Sequence, residues 1–497
     1  MQAWVENELE SADFGDERVD ARFGIVMDEL SQRPSASIPT ACGGWTETMG
    51  AYRFFGNKRV TWQGVLKPHR EATLLRIAEH PVALLIQDTT KCDVTRPRER
   101  MRNAGPLNEE SRWGFYNHPV FAVNPEGIPL GVVHAEIWSR DLEEFRAFQQ
   151  QKQQDPRAKE KRNKERTIEE KESLRWLTGY REGCEVASLV PNSTIIVISD
   201  SEGDIYECFA EASQEHGSKK AEWITRACQD RSVSLGKSQG YGRLREQVRS
   251  TRVLGTMEVE VREHTPKGTT ERKRNQPRKA RTATMTIQAA RLTLRGPQRP
   301  DGRPPNVEVN VVLVCEKNPP RGEEPIEWLL LTSLPIKTFK KVCLVIEYYC
   351  CRWQIEIYFH VLKSGCKVED RQFEDADRYL PCLAMYMVIA WRVMFVMMLG
   401  RECPEMSCAE VFSEDEWKAV YTVVRGGSSP HKPPTLQEMI YLIASLGGHL
   451  GRASDDPPGP KAMWVGMQRM MDLAMAWRAF GPGATAVGRR KKRKRCV

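Results

Sequence analysis

The sequence predicts a mixed α/β protein, with a central sheet interrupted by a β-rich segment and helical regions at both ends. Three observations predict it. A continuous apolar run, Val82 to Gln87, and a β-branched one, Thr194 to Ser199, each stop on an aspartate, Asp88 and Asp200. Buried strands with chemistry at their carboxyl ends have that texture. Between Met257 and Ile287 apolar residues alternate with polar ones (Met257/Val259/Val261, Ala283/Met285/Ile287), as in half-buried strands. The two ends of the chain carry helical periodicity instead.

The chain has 497 residues, which suits about two to four domains rather than one core. A 40% hydrophobic and 28% charged composition is ordinary for a soluble globular protein. The net charge of +8 is modest, so composition only hints at a polyanionic partner. The residues after Met1 have neither the basic nor the apolar segment of a signal peptide. Fourteen cysteines are scattered without CxxC pairs, so reduced thiols in a cytoplasmic setting are expected and structural zinc is not.

In chain order, Asp16 to Leu30 reads as a helix with Arg18 and Arg22 one turn apart. Arg33 to Gly44 reads as a connection. Trp45 to Phe55 is again helical and presents Arg53. Spaced arginines on small helices suit a DNA backbone; a plain helical cap with surface arginines has the same pattern. After the Val82 strand come two more, Phe115 to Val123 and Ile128 to Trp138, joined by an Asn124-Pro-Glu-Gly127 turn. The mixed-charge stretch Arg140 to Arg166 reads as a solvent-facing helical insertion. Lys171 to Tyr180 is a helix, Thr194 to Asp200 a strand, Ser201 to Tyr206 a helix start, and Ala221 to Ala227 a strand with Arg226 near its end. This strand–helix order is that of an RNase H-like fold.

The segment from about 232 to 337 follows. Its basic run Lys267, Arg272, Lys273, Arg274, Arg278, Lys279, Arg281 suits phosphate contact at a hairpin tip, or is a solvated loop. Trp328 opens its last strand. Tyr349 to Lys363 reads as one helix. At about 100° per residue, Tyr349, Arg352, Glu356 and Lys363 share a face about 60° wide. A carboxylate flanked by a hydroxyl, a guanidinium and an ammonium suits a site for a metal and a phosphate; a solvated face with ion pairs shares the pattern. Leu380 to Leu399 is apolar but holds Pro381 and Arg392, so a buried core helix is expected rather than a membrane span. Leu436 to Leu446 and Ala462 to Phe480 are helical. Arg489 to Arg495 is a basic tail able to add salt-dependent attraction to nucleic acid.

Asp88, Asp200 and Glu356 together suit phosphodiester chemistry, which uses two hard cations held by carboxylates on rigid elements. In that reading Asp88 bridges both ions, Asp200 and Glu356 each complete one, and Arg352 and Lys363 grip neighbouring phosphates.

These residues also carry a resemblance. Tyr349-x2-Arg352-x3-Glu356-x6-Lys363 resembles the Tyr-Arg-Glu-Lys signature of bacterial insertion-sequence transposases of the DDE class, in the Tn-five-like group of the IS-four family. Gly15-Asp-Glu-Arg18, Gly50-Ala-Tyr-Arg53-Phe, Gln87-Asp88-Thr-Thr, Asp200-x-Glu202-x-Asp204-Ile, Trp328-Leu-Leu-Leu-Thr and Ser445-Leu-Gly-Gly448 with Trp464 match further motifs in order. The resemblance implies a cut-and-paste transposase that acts on transposon ends and target DNA as a synaptic homodimer. The cofactor implied is Mg²⁺, with Mn²⁺ as a substitute, two ions per site. Cleavage, hairpin formation and strand transfer are implied, with Trp328 stacking an extruded base and Arg18, Arg22, Arg53 and Arg226 contacting DNA. The implied organisation is a helical DNA-binding domain (1–70), a core in two parts (71–231 and 338–400) split by a β-rich insertion (232–337), a helical dimerisation domain (401–488) and a basic tail (489–497). One departure is Ser201, where the family usually has Arg. A nuclease that cuts without joining, and a non-catalytic DNA-binding regulator, are the competing readings.

Overall fold

The computed structural model describes residues 1–482 apart from 97–98, 156, 215–218, 237–239, 262, 264–278 and 453. Most of the basic run around Lys267 to Arg278, and the basic tail, lie outside the described residues.

Among the described residues, thirteen strands form one sheet. The strands are β1 (Val82–Gln87), β2 (Thr90–Asp93), β3 (Gly105–Pro106), β4 (Trp113–Val123), β5 (Pro129–Trp138), β6 (Thr194–Ser199), β7 (Glu222–Arg226), β8 (Ser232–Ser234), β9 (Tyr241–Arg243), β10 (Gly255–Val261), β11 (Arg281–Leu294), β12 (Val307–Glu316) and β13 (Glu327–Thr332). Their order is β2-β4-β1-β6-β7-β13-β12-β11-β8-β9, with β3 and β5 on β4 and β10 on β11. β1, β6 and β7 are parallel neighbours; the other pairings are antiparallel. The segment from 232 to 337 therefore extends the core sheet, because β13 pairs with β7.

Both faces of the sheet are covered at β1 and β6, and this explains their unbroken apolar runs, whereas β10 and β11 keep one side exposed. Leu84, Ile86, Ile196 and Ile198 point into one core with the helices around Glu356 and the Ala376–Glu402 helix. Ala83, Leu85, Ile195 and Val197 point into the other core, with Tyr180, Val186 and Phe209 of the Leu174–Leu189 and Tyr206–Ser213 helices. The Ala376–Glu402 helix is long and apolar enough to cross a membrane, but 83% of its apolar window is buried inside the protein. It is the core helix that its Pro381 and Arg392 foretell.

The expected helices form at Glu17–Gln32, Trp45–Phe55, Leu142–Gln154, Ala158–Glu165, Leu436–Leu446 and Pro460–Phe480. The Arg33 to Gly44 connection contains a short helix of its own, Ile38–Cys42. Ser37 caps it, and Gly43 ends it at φ +71°. The N-terminal helices are fastened to the sheet by a buried cluster. The Val132 N–H donates to His69 Nε2 at 2.9 Å, so Nδ1 of the ring carries the proton and donates to Glu8. Arg76 grips the same Glu8 carboxylate at 2.9 and 3.0 Å.

At the C-terminal end, the Leu436–Leu446 and Pro460–Phe480 helices meet backbone to backbone. A Cβ at Gly466 would stand 2.0 Å from the Ile443 carbonyl oxygen. Gly466→Val is expected to destabilise the protein by about 1–3 kcal/mol through that overlap, read as a shifted urea midpoint. Met470 and Met471 face this core, whereas Met475 is 47% exposed.

Candidate active site

The site forms where three parallel strands end. Gln87 is in register with Ser199, and Ser199 with Thr225. The next residues, Asp88, Asp200 and Arg226, therefore stand in a row across neighbouring strands, whose usual spacing is about 4.8 Å. Sequence explains why β1 stops there. β1 and β2 pair with β4 in one continuous register, from Leu84↔Val123 to Asp93↔Gly114, with a break at Asp88 and Thr89. Opposite Asp88 in that register stands Pro119, which has no N–H to offer. Opposite Thr89 stands His118, whose Nδ1 lies 2.9 Å from Thr89 Oγ1, a side-chain contact in place of the ladder. The break frees the Asp88 carboxylate, which accepts from the Thr89 N–H at 2.7 Å.

Asp200 opens a 3₁₀ turn, Ser201–Gly203, and accepts from the Glu202 N–H at 2.8 Å. Asp204, at the end of the turn, is buried. Its Oδ1 takes Arg231 Nη2 at 2.5 Å and Nε at 3.1 Å, and its Oδ2 takes the N–H groups of Cys228 and Gln229. This pair ties the loop after Asp200 to the segment after Arg226.

The glutamate arrives from the other side. The stretch read as one helix is a succession: α-helix Phe339–Cys350, 3₁₀ turn Cys351–Trp353, α-helix Gln354–His360 and π-turn Val361–Gly365. The expected polar face is accordingly redrawn. Arg352 Nη1 lies 3.2 Å from Asp88 Oδ2 and 3.5 Å from Glu356 Oε1, so one guanidinium serves both carboxylates. Tyr349 is 6% exposed and neighbours Arg226, with its ring 6.1 Å from Trp328. Lys363, beyond the change to π geometry, pairs with Glu369 at 3.2 Å rather than with Glu356.

Electrostatics binds the row together. Burial first, then the Asp200 carboxylate, push the Asp88 pKa up to about 7; Glu356 adds to the push, and Arg352 and the Thr89 N–H oppose it. Burial works against the Arg352 cation, but Tyr349, Asp88, Glu356 and Asp200 outweigh it and raise its pKa. Asp88, Asp200, Glu356, Arg352, Tyr349, Arg226 and Trp328 thus share one neighbourhood.

Arg18, Arg22 and Arg53 lie on the N-terminal helices. Arg18 caps back onto Asp16, Arg22 lies over Gly50, and Arg53 is exposed. Arg281 of the basic hairpin is not free for phosphate, since it pairs with Glu316 and Glu323.

A ready-made cation cage is not formed. Among the described residues no three His, Cys, Asp or Glu side chains stand close enough to hold a metal ion. Arg352 fills the gap between Asp88 and Glu356 instead. The donor chemistry nevertheless fits a hard divalent cation: carboxylate oxygens only, with Asp200 and Glu356 both acting on a buried Asp88. Glu356 is 43% exposed, which leaves its carboxylate room to turn.

Sequence reading missed Arg175. Its Nε donates to Thr89 Oγ1 at 2.8 Å and its Nη2 reaches Glu202 at 3.4 Å, linking the loops after both aspartates. It thereby brings a guanidinium to the loop where Ser201 stands. Nothing in its local sequence marks it.

Residues 1–60 match the family model described as Transposase DNA-binding, residues 213–379 the Transposase DDE domain, and residues 388–479 the Transposase Tn5 dimerisation domain. The DDE match begins after Asp88 and Asp200, so of the three carboxylates it includes Glu356 alone. A solved structure, the cryo-EM structure of piggyBac transposase synaptic complex with hairpin DNA, aligns over 91% of this chain and 79% of its own, at 9% identity and a TM-score of 0.34. The three matched models define the class as a DDE transposase, an enzyme family of nucleases and transesterases that generally use divalent metal ions. The chain belongs to the Tn-five-like branch of the IS-four family: it is a DNA transposase with a DNA-binding and a dimerisation domain.

Proposed function

We propose that the chain moves an insertion sequence by cut-and-paste transposition, with Asp88, Asp200 and Glu356 on an RNase H-like core as its reaction centre. The observation that carries this reading is a convergence. Asp88 and Asp200 end adjacent parallel strands, and Arg352 reaches Asp88 and Glu356 at once. The domain division follows the segments read from the sequence, with the homodimer formed through 401–488 in a synaptic complex on paired ends.

In this reading Asp88, Asp200 and Glu356 hold two Mg²⁺ ions, or Mn²⁺ in their place. When bound, these supply Lewis-acid activation of the attacking and leaving oxygens. The chain's own residues do the rest. Arg352, which here pairs with Asp88 and Glu356, would be available to a phosphate oxygen were those carboxylates engaged elsewhere. Arg226 and Tyr349 set the wall of the site opposite Asp88. Trp328, beside Tyr349, offers a ring face to a base turned out of the duplex, as hairpin formation demands. Arg18, Arg22 and Arg53 contact the transposon end.

Cation uptake carries a pH signature. A carboxyl raised to about 7 holds a proton below that pH in the cation-free protein and gives it up to a divalent ion. Affinity for Mn²⁺ is expected to rise by about tenfold per pH unit up to about pH 7 and then level off. Titration calorimetry in two buffers of different ionisation enthalpy counts the proton. The same raised value means that, without cations, the contribution of Asp88 to stability is present below the unfolded carboxyl pKa and is lost as pH rises through about 7.

The activity itself is tested by incubating the protein with paired duplexes carrying the inverted repeats that flank the reading frame, Mg²⁺ and a plasmid. Joined product is expected. Cleavage without joining would instead fit a nuclease.

A further inference from the structure

β2 projects past the end of β6, beyond the carboxylate row, along the same edge of β4 that β1 occupies. Thr89, Lys91 and Asp93 alternate onto one side of it. Four cations surround that side, and each carries a carboxylate. Arg175, on Thr89, reaches Glu202 at 3.4 Å. Arg112 Nε donates to Asp93 at 2.6 Å. Arg140, stacked 4.4 Å over the ring of Tyr116, the register partner of Lys91, pairs with Glu172 at 2.5 Å. Lys363 pairs with Glu369, which also accepts the Asp93 N–H at 2.9 Å. Lys91 itself, half-buried at the middle of the row, has no ion pair or side-chain hydrogen bond among the described residues. Glu136, the register partner of His118, adds a fifth carboxylate beside Arg175, and of the five positive groups Lys91 is the one with no ion pair of its own among the described residues.

We propose that this face of β2 is a DNA-phosphate subsite centred on Lys91, which seats the backbone of a strand that runs past the end of the sheet beyond the reaction centre. The proposal rests on the reading of Asp88, Asp200 and Glu356 as that centre. Burial, then Arg140, Arg112 and Lys363, hold the Lys91 pKa below the usual lysine value, a crowding that a phosphate oxygen relieves. Nearby Glu202, which acts the other way on Lys91, is largely exposed and free to swing aside.

The shared chemistry is a phosphodiester backbone; transposon-end DNA and target DNA both offer it. Fluorescence anisotropy in EDTA, where no strand is cut, separates them. One arm titrates full-length protein with the inverted-repeat duplex. The other titrates protein already holding that duplex with a mixed-sequence duplex. Lys91→Gln is expected to weaken one arm several-fold and to lower its slope of log affinity against log salt by about 0.9, the share of one phosphate contact. Lys91→Arg is expected to restore both. Wild-type affinity and slope in both arms, or an equal loss in Lys91→Arg, would overturn the proposal. Lys91→Met, of similar length, replaces the Gln variant if its melting temperature shifts. Because binding is read without chemistry, a failure here is distinct from a failure of the carboxylate reading, which would appear as cleavage surviving in Asp88→Asn.

Discussion

Asp88→Asn is expected to abolish cleavage and joining while leaving DNA affinity unchanged. The substitution keeps the shape, and its amide oxygen still accepts the Thr89 N–H. What it removes is the carboxylate that both Asp200 and Glu356 act on and that Arg352 grips. Divalent ions stabilise phosphoryl-transfer charge by several kcal/mol, so losing their central ligand costs about 10³-fold or more in rate. The variant should bind end duplex like the parent in a mobility-shift assay and give no nicked or joined product on a sequencing gel. Glu356→Gln is expected to behave in the same way. Arg352→Ala is different in kind: it removes the cation that now bridges Asp88 and Glu356, so DNA positioning suffers while the carboxylates remain.

Asp204→Ala is the substitution expected to cost most in stability. Asp204 is 2% exposed and Arg231 9%. Removing the carboxylate strands a buried guanidinium and leaves the N–H groups of Cys228 and Gln229 without their acceptor. Breaking a buried pair from one side costs about 3–5 kcal/mol. Asp204→Asn keeps an acceptor oxygen for the two amides and should lose less. Urea unfolding of the two variants measures the order. Because the pair anchors the turn that begins at Asp200, the Ala variant should also lose cleavage even at temperatures where it stays folded, with partial return in the Asn variant.

The two aspartates were legible because a parallel strand buried on both faces needs an unbroken apolar run, and each run visibly ends on a carboxylate. Glu356 and Arg352 were legible because they are four residues apart, a spacing close enough to survive the one 3₁₀ turn between them. Lys363 was not, because the 3₁₀ and π turns on either side of Gln354–His360 change the angular step, and a helical wheel assumes a constant one. The break between β1 and β2 was written in Pro119, but only the strand register reveals that Pro119 stands opposite Asp88. Arg231 and Arg175 were illegible for a different reason. Their partners are 27 and 86 residues away, and no local pattern records a contact made by folding. The same holds for the extension of the core sheet by β13 on β7: its strands were readable, their neighbours were not.

The central claim is that Asp88, Asp200 and Glu356 gather round divalent cations at one scissile phosphate. Anomalous scattering from crystals of the protein with a transposon-end duplex and Mn²⁺ tests it most directly. The account predicts manganese peaks within ligand distance of all three carboxylates, with Arg352 moved away from Asp88. Manganese bound elsewhere, or one of the three carboxylates left out of reach, would contradict it.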